Sequence, residues 1–260
     1  MKQASRFILS LLLLISLLLV LNYYHHSDLN KKKSDNVEAD VKTSEKKEKN
    51  HANANVKAQQ STSKQTTIEK KILDAPLINQ MSSPRLYNGC EVTSLAMLLN
   101  ANGIKVTKNE LANQIKRVPL TYDNGLHGNP NVGFVGNMEN GPGLGVNHGP
   151  IYDLAKKYAG NKVKDITNHS FDEIITNIQA GHPVWVIINT KFQPISNFTE
   201  WNTPQGKVRI TYSCHSVLIT GYDKQHIYVN DPYGTKNKQL DRDQFIKAWE
   251  QMGKQAIVMK

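Results

Sequence analysis

The chain has 260 residues, with 32 Lys plus Arg against 22 Asp plus Glu and a formal charge of +10. That length suits one domain with a substantial core plus appendages. The two cysteines, Cys90 and Cys214, are too few for a disulfide scaffold and form no CxxC pair of the kind that builds zinc or redox sites. The positive excess is spread along the chain instead of gathered on one element. This argues against a nucleic-acid binder and fits a solvated basic surface beside an anionic membrane or wall.

Lys2 and Arg6 precede an apolar run over 7–21, broken only by Ser10 and Ser16, and Asn22, Tyr23 and Tyr24 follow. A positive n-region before an apolar h-region is an export signal. As a helix at ~1.5 Å per residue, 7–24 would reach roughly 27 Å, close to the ~30 Å hydrocarbon thickness of a bilayer. No small-x-small site follows Leu21, and the tyrosines resemble an interfacial belt. Residues 1–24 are therefore expected to be an uncleaved signal-anchor, with a cleaved signal peptide as the alternative. The expected location is the cell membrane, single-pass, with the domain on the extracellular side, or secreted if the signal is cleaved. Lys31, Lys32 and Lys33 rival Lys2 and Arg6, so positive-inside counting does not fix the orientation. Residues 25–71, rich in Lys, Asn, Ser, Gln and Glu, cannot bury enough surface to offset chain entropy and are expected to be a disordered stalk.

The folded domain, 72–260, opens with a short strand expected over 72–78. A helix over 90–100 follows, with Val92, Leu95, Ala96, Leu98 and Leu99 on a broad apolar face and Gly103 ending it. A capping box at Thr107 and Glu110 starts a second helix, and 118–148 reads as a long Gly-, Asn- and Pro-rich functional loop. A third helix is expected over 149–158. Ser170 and Glu173 suggest another capping box, for a helix running to Gly181. The remainder reads mostly as β, with strands at 184–188, 216–220, 227–230 and 255–259, a tight turn at 223–225 and a helix over 241–252. Helices first and antiparallel strands later make an α+β domain, with N-terminal helices packed on a C-terminal antiparallel sheet.

Asn88-Gly89-Cys90-Glu91 places a thiol at the first turn of an apolar helix. Unpaired N–H groups and partial positive charge there favour thiolate over thiol. An inert core thiol has the same local look, since free cysteine packs as a small hydrophobe. A nucleophilic cysteine needs a base with an orienting partner. His215 begins the strand Ser216-Val217-Leu218-Ile219-Thr220, downstream of Cys90 in the order cysteine peptidases use. Strand alternation puts Cys214 on the opposite face, away from any cleft His215 serves. Asp231 closes the next strand, where its carboxylate can hold the imidazole tautomer, although Asp-Pro-x-Gly is also ordinary turn chemistry. Gln80 can offer an amide to an oxyanion beside the Cys90 backbone N–H, or be a plain loop glutamine.

Four motifs stand in order: Leu73-x-x-Pro76-x-Ile78-x-Gln80, the stretch from Asn88 to Met97, His215 to Tyr222, and Asn230-Asp231-Pro232. Together they resemble the C39-like peptidase family, which is related to the leader-cleaving domains of bacteriocin exporters and shares the papain-like cysteine peptidase fold. The resemblance spans nearly all of 73–260. It implies Cys90 as nucleophile, His215 as base, Asp231 as third member and Gln80 in the oxyanion hole. Glu91 stands where the exporters usually have Gly, and no transporter domain follows, so leader processing during export is not expected.

No metal set emerges from Cys90, Cys214, His215 and His148, whose spacing is wrong for ligation. His127 and His148 lie in or beside the long loop, and His169, His182 and His226 read as structural. The glycines Gly141, Gly143 and Gly145 make a flexible rim, not a phosphate cradle. The expectation is thus a membrane-anchored extracellular thiol hydrolase acting on a peptide or isopeptide amide, with no cofactor and no nucleic-acid partner. A peptidoglycan amidase or endopeptidase acting on cell-wall peptides is the enzymatic alternative; a catalytically inactive papain-like binding module is the non-enzymatic one.

Overall fold

The computed structural model describes residues 69–260, so the expected anchor at 1–24 and all but the last residues of the expected stalk lie outside the described residues. The central strands β6 (Val184–Asn189) and β9 (Cys214–Tyr222) are apolar runs because helices cover both of their faces. Around them lie β10 (His226–Asp231), β11 (Thr235–Asp241), β12 (Ala256–Met259) and β5 (Val163–Asp165). They form an antiparallel sheet in the order β11-β10-β9-β6-β12-β5, and β1 (Lys71–Ile72) adds to β9.

One face carries α1 (Cys90–Ala101), α2 (Lys108–Gln114) and α3 (His148–Ala159), packed over Trp185, Ile187, Leu218 and Ile257. The other carries α4 (Phe171–Gln179) and α5 (Arg242–Gln251), over Val184, Val186, Val217 and Ile219. Strand alternation sorts the two sets, and each buried aliphatic side chain contributes roughly 1.5–3 kcal/mol. Five α-helices and mostly antiparallel sheets among the described residues make the chain α+β, as expected. The expected N-terminal helices cover one face, and α4 and α5 cover the other, because a sheet apolar on both faces must be covered on both. No helix among the described residues is long and apolar enough to cross a membrane.

Several elements differ from their sequence reading. The strand expected over 72–78 pairs only through Ile72; Leu73 N–H makes one more bond to Thr220 O, and Asn230 Nδ2 then takes the Ala75 and Pro76 carbonyls. Proline has no N–H to continue a ladder. The loop expected over 118–148 holds β3 (Phe134–Gly136) and β4 (Gly143–Gly145), which with β2 (Arg117–Val118) at its start form a small sheet of their own. The capping box forms at Thr107 and Glu110, but Ser170 makes no side-chain cap: the Glu173 N–H donates to the Ser170 carbonyl, and the Glu173 carboxylate pairs with His169. The hairpin of β7 (Thr199–Thr203) and β8 (Gly206–Ile210) has no counterpart in the sequence reading.

Candidate active site

Helix α1 starts where it does because Gly89 lets Leu86 come close: a Cβ at 89 would lie 2.5 Å from Leu86 Cβ. The helix start is tied to the sheet by Ser94 Oγ donating to Ser216 O (3.0 Å) and Trp185 Nε1 donating to Glu91 O (3.0 Å). These two bonds fix Cys90 against the beginning of β9, where the Ser216 backbone N–H reaches its thiol. His215, the neighbouring residue, is only 1% exposed.

The His215 ring lies between two aromatic rings. It stacks on Tyr233 with centroids 5.0 Å apart and meets the edge of Phe192 at 5.9 Å. Nε2 pairs with Asp231 Oδ1 at 3.0 Å, and Nδ1 is buried without a partner among the described residues. Asp231 also accepts from Lys238 Nζ (2.9 Å) and the Tyr233 backbone N–H (3.1 Å). Burial pushes its carboxyl up, but these donors and His215 overcome that and hold it well below the usual carboxylate range.

Gln80 connects the loop of the cysteine to the loop of the aspartate. Its backbone N–H donates to Pro232 O (2.8 Å), and its Nε2 donates to Leu86 O (3.2 Å) and Tyr87 O (3.0 Å). The structure therefore brings Cys90, His215, Asp231 and Gln80 into one neighbourhood, with both amide hydrogens of Gln80 already engaged by the loop before Cys90.

One finding departs from the sequence reading. The Cys90 thiol is not lowered by its helix start. Burial first, then the charge of Glu91 and the nearby Cys214, push it well up, against the Ser216 N–H. Cys214 faces away from His215 and lines a separate cavity of about 330 Å³ with Leu144, Gly145, Val146, His148 and Thr211, which none of Cys90, His215, Asp231 and Gln80 lines. Alternation separates Cys214 from His215, and α1 and the cavity lie on the Cys214 side. Burial and the Glu91 charge raise the Cys214 thiol as well.

Glu91, Tyr233, Phe192 and Lys238 are site residues that sequence reasoning did not assign. For Glu91 a signal existed: an almost uniformly apolar helix is buried all round, and so is any carboxylate on it. Tyr233 follows directly on Asp231-Pro232. Phe192 and Lys238 arrive through tertiary structure alone.

An α+β fold with a thiol at a helix start and a buried His–Asp pair on adjacent strands is of the class of cysteine peptidase folds. The chain belongs to the Peptidase_C39 like family, whose model matches residues 72–257. It is 60% identical over 190 residues to the uncharacterized protein YvpB of Bacillus subtilis strain 168, covering 73% of this chain and 76% of that one. It is also similar to the crystal structure of a candidate C39-like peptidase from Bacillus anthracis. The TM-score is 0.71 at 46% identity, with 74% of this chain and 98% of the other covered.

Proposed function

We propose that the chain is a cysteine peptidase with a papain-like arrangement, anchored in the membrane by 1–24 and acting outside it on peptide or isopeptide bonds, those of cell-wall peptides included. The observation that carries the reading is the asymmetry of His215: Nε2 is held by Asp231, while Nδ1 is buried and unpartnered next to the residue whose N–H meets the Cys90 thiol. A nucleophile–base–orienter chain needs one nitrogen spare.

In this mechanism Nδ1 takes the thiol proton, and the Cys90 sulfur attacks the carbonyl carbon to give a tetrahedral oxyanion. The Cys90 backbone N–H stabilises that oxygen, with Gln80 Nε2 once it releases the Leu86 or Tyr87 carbonyl. Nδ1–H then protonates the departing amine and the C–N bond breaks. Water attacks the thioester, His215 takes its proton, and the acid leaves with the thiol restored. Membrane anchoring rests on Lys2, Arg6 and the apolar run over 7–21.

A buried, neutral thiol favours the second reading, a catalytically inactive binding module. One experiment separates the two. Full-length chain and its Cys90→Ala variant are expressed, and carbonate-washed membranes and medium are assayed against peptide and cell-wall peptide substrates. Hydrolysis is expected in the membranes and is lost in the variant, whose unfolding free energy stays within about 1 kcal/mol of wild type, since a thiol contributes little packing. Hydrolysis that survives the substitution, or is absent from both fractions, overturns the peptidase; activity confined to the medium overturns the anchor.

A further inference from the structure

Glu91 is a carboxylate in a place made for it. It is 1% exposed, its Oε1 accepts from the Val146 backbone N–H (3.2 Å), and its Oε2 has no hydrogen-bond partner among the described residues. The end of β4 is shaped around it. Gly145 sits at φ +131°, a Cβ there would overlap Glu91 Oε1, and the same Cβ would stand 4.0 Å from Cys214 Sγ. The carboxylate thus occupies a slot between α1, the end of β4 and the start of β9. It adjoins the nucleophile in sequence and its charge reaches the thiol.

We propose that Glu91 is a positioning residue that sets the protonation state of Cys90. Ionised, it keeps the sulfur a neutral thiol; neutral, it permits the thiolate–imidazolium pair with His215. The inference rests on reading Cys90 and His215 as the working pair. Its physical basis is that two negative charges in one desolvated slot repel strongly, so the slot holds either the carboxylate or the thiolate. The titratable groups that interact with Glu91 are Cys90 on α1, Cys214 at the head of β9 and Tyr233 after β10. All three are pushed up and stay neutral near pH 7. Burial, partly opposed by the N–H groups of Glu91 and Val146 and by Cys90, pushes the Glu91 carboxyl up to about 7. Both of its forms are therefore populated near neutrality. The proton that neutralises Glu91 comes from solvent, and the thiol proton moves to His215 Nδ1, so the step is balanced.

Glu91→Gln keeps the shape and the acceptor for Val146 N–H while removing the charge. Full-length wild type and variant are alkylated with iodoacetamide from pH 5 to 9, with Cys90 and Cys214 resolved by peptide mass spectrometry. At pH 8 the variant is expected to label Cys90 about tenfold faster than wild type. At pH 5, where position 91 is uncharged in both, the rates should agree within about twofold. Parallel profiles, or a slower variant, overturn the proposal. Wild type alone supplies a second test should the variant not fold: its Cys90 rate should flatten or fall between pH 6 and 8, and a rise of about tenfold per pH unit, as for a simple thiol, overturns the proposal. His215→Ala distinguishes the two readings. Labelling indifferent to that substitution sinks the Cys–His pair itself; a His215 effect with parallel Glu91→Gln profiles sinks only the role of Glu91.

Discussion

Asp231 holds three donors at once, His215 Nε2, Lys238 Nζ and the Tyr233 N–H, in a pocket where it is almost fully buried. Replacing one partner of a buried hydrogen-bonded charge pair leaves the other uncompensated, which costs far more than losing an exposed ion pair. Asp231→Asn therefore has two expected consequences. An amide can offer N–H to the ring and let Nδ1 carry the proton, the wrong tautomer for taking one from Cys90; kcat should fall about 10³–10⁴-fold. Lys238 loses its counter-charge, but it is one-third exposed and can turn to water, so the fold should survive. Lys238→Met, which leaves the His–Asp bond intact, should lower kcat less than about tenfold. Steady-state kinetics with near-UV circular dichroism checks both, and full activity in Asp231→Asn would remove Asp231 from the mechanism.

The strands and helices that the sequence makes legible are those whose surroundings are uniform. Helix α1, strands β6, β9 and β10 and the terminal β12 begin and end close to their expected bounds because their apolar runs are buried on two sides. Cys90, His215 and Asp231 stand out in the sequence for the same reason, each at or next to the end of such an element, whereas Gln80 lies in a turn between β1 and α1 and carries no such mark. Strand β11, Thr-Lys-Asn-Lys-Gln-Leu-Asp, lies at a sheet edge and is mostly polar, and the β7–β8 hairpin exposes one face, so neither shows a core period. Strand β4 is two glycines around Leu144 and reads as loop, yet it closes the slot of Glu91. Its test is Gly145→Ala, which adds a Cβ against Glu91 Oε1 at a left-handed φ and should destabilise by roughly 2–3 kcal/mol in urea unfolding. The same substitution in a Glu91→Ala background should cost at least about 1 kcal/mol less, the signature of residues in contact. Equal costs in both backgrounds would mean that the slot does not exist as described.

At the scale of the whole domain, the two-faced sheet places two carboxylates of opposite character a few residues from the same histidine and thiol. Asp231 is held down by its donors, so it contributes stability that is present above the unfolded carboxylate range near 4 and lost as pH falls through its lower folded value. Glu91 is pushed up to about 7, so its contribution is fully present below its unfolded value near 4.5 and lost as pH rises through 7. The two windows overlap only in mild acid. Thermal stability of the wild-type chain should therefore peak between about pH 4 and 5 and decline toward pH 8, where ionising Glu91 in its slot costs on the order of 3 kcal/mol. Glu91→Gln removes the alkaline decline and leaves the acid one, so its melting temperature should exceed that of wild type by several degrees at pH 8 and match it near pH 5. Scanning calorimetry of both chains from pH 4 to 9 is the measurement. A wild-type melting temperature that rises from pH 5 to 8, or a Glu91→Gln chain less stable at pH 8, would mean that the carboxylate is stabilised as an anion by contacts other than the Val146 N–H, and that the slot favours charge over the neutral acid.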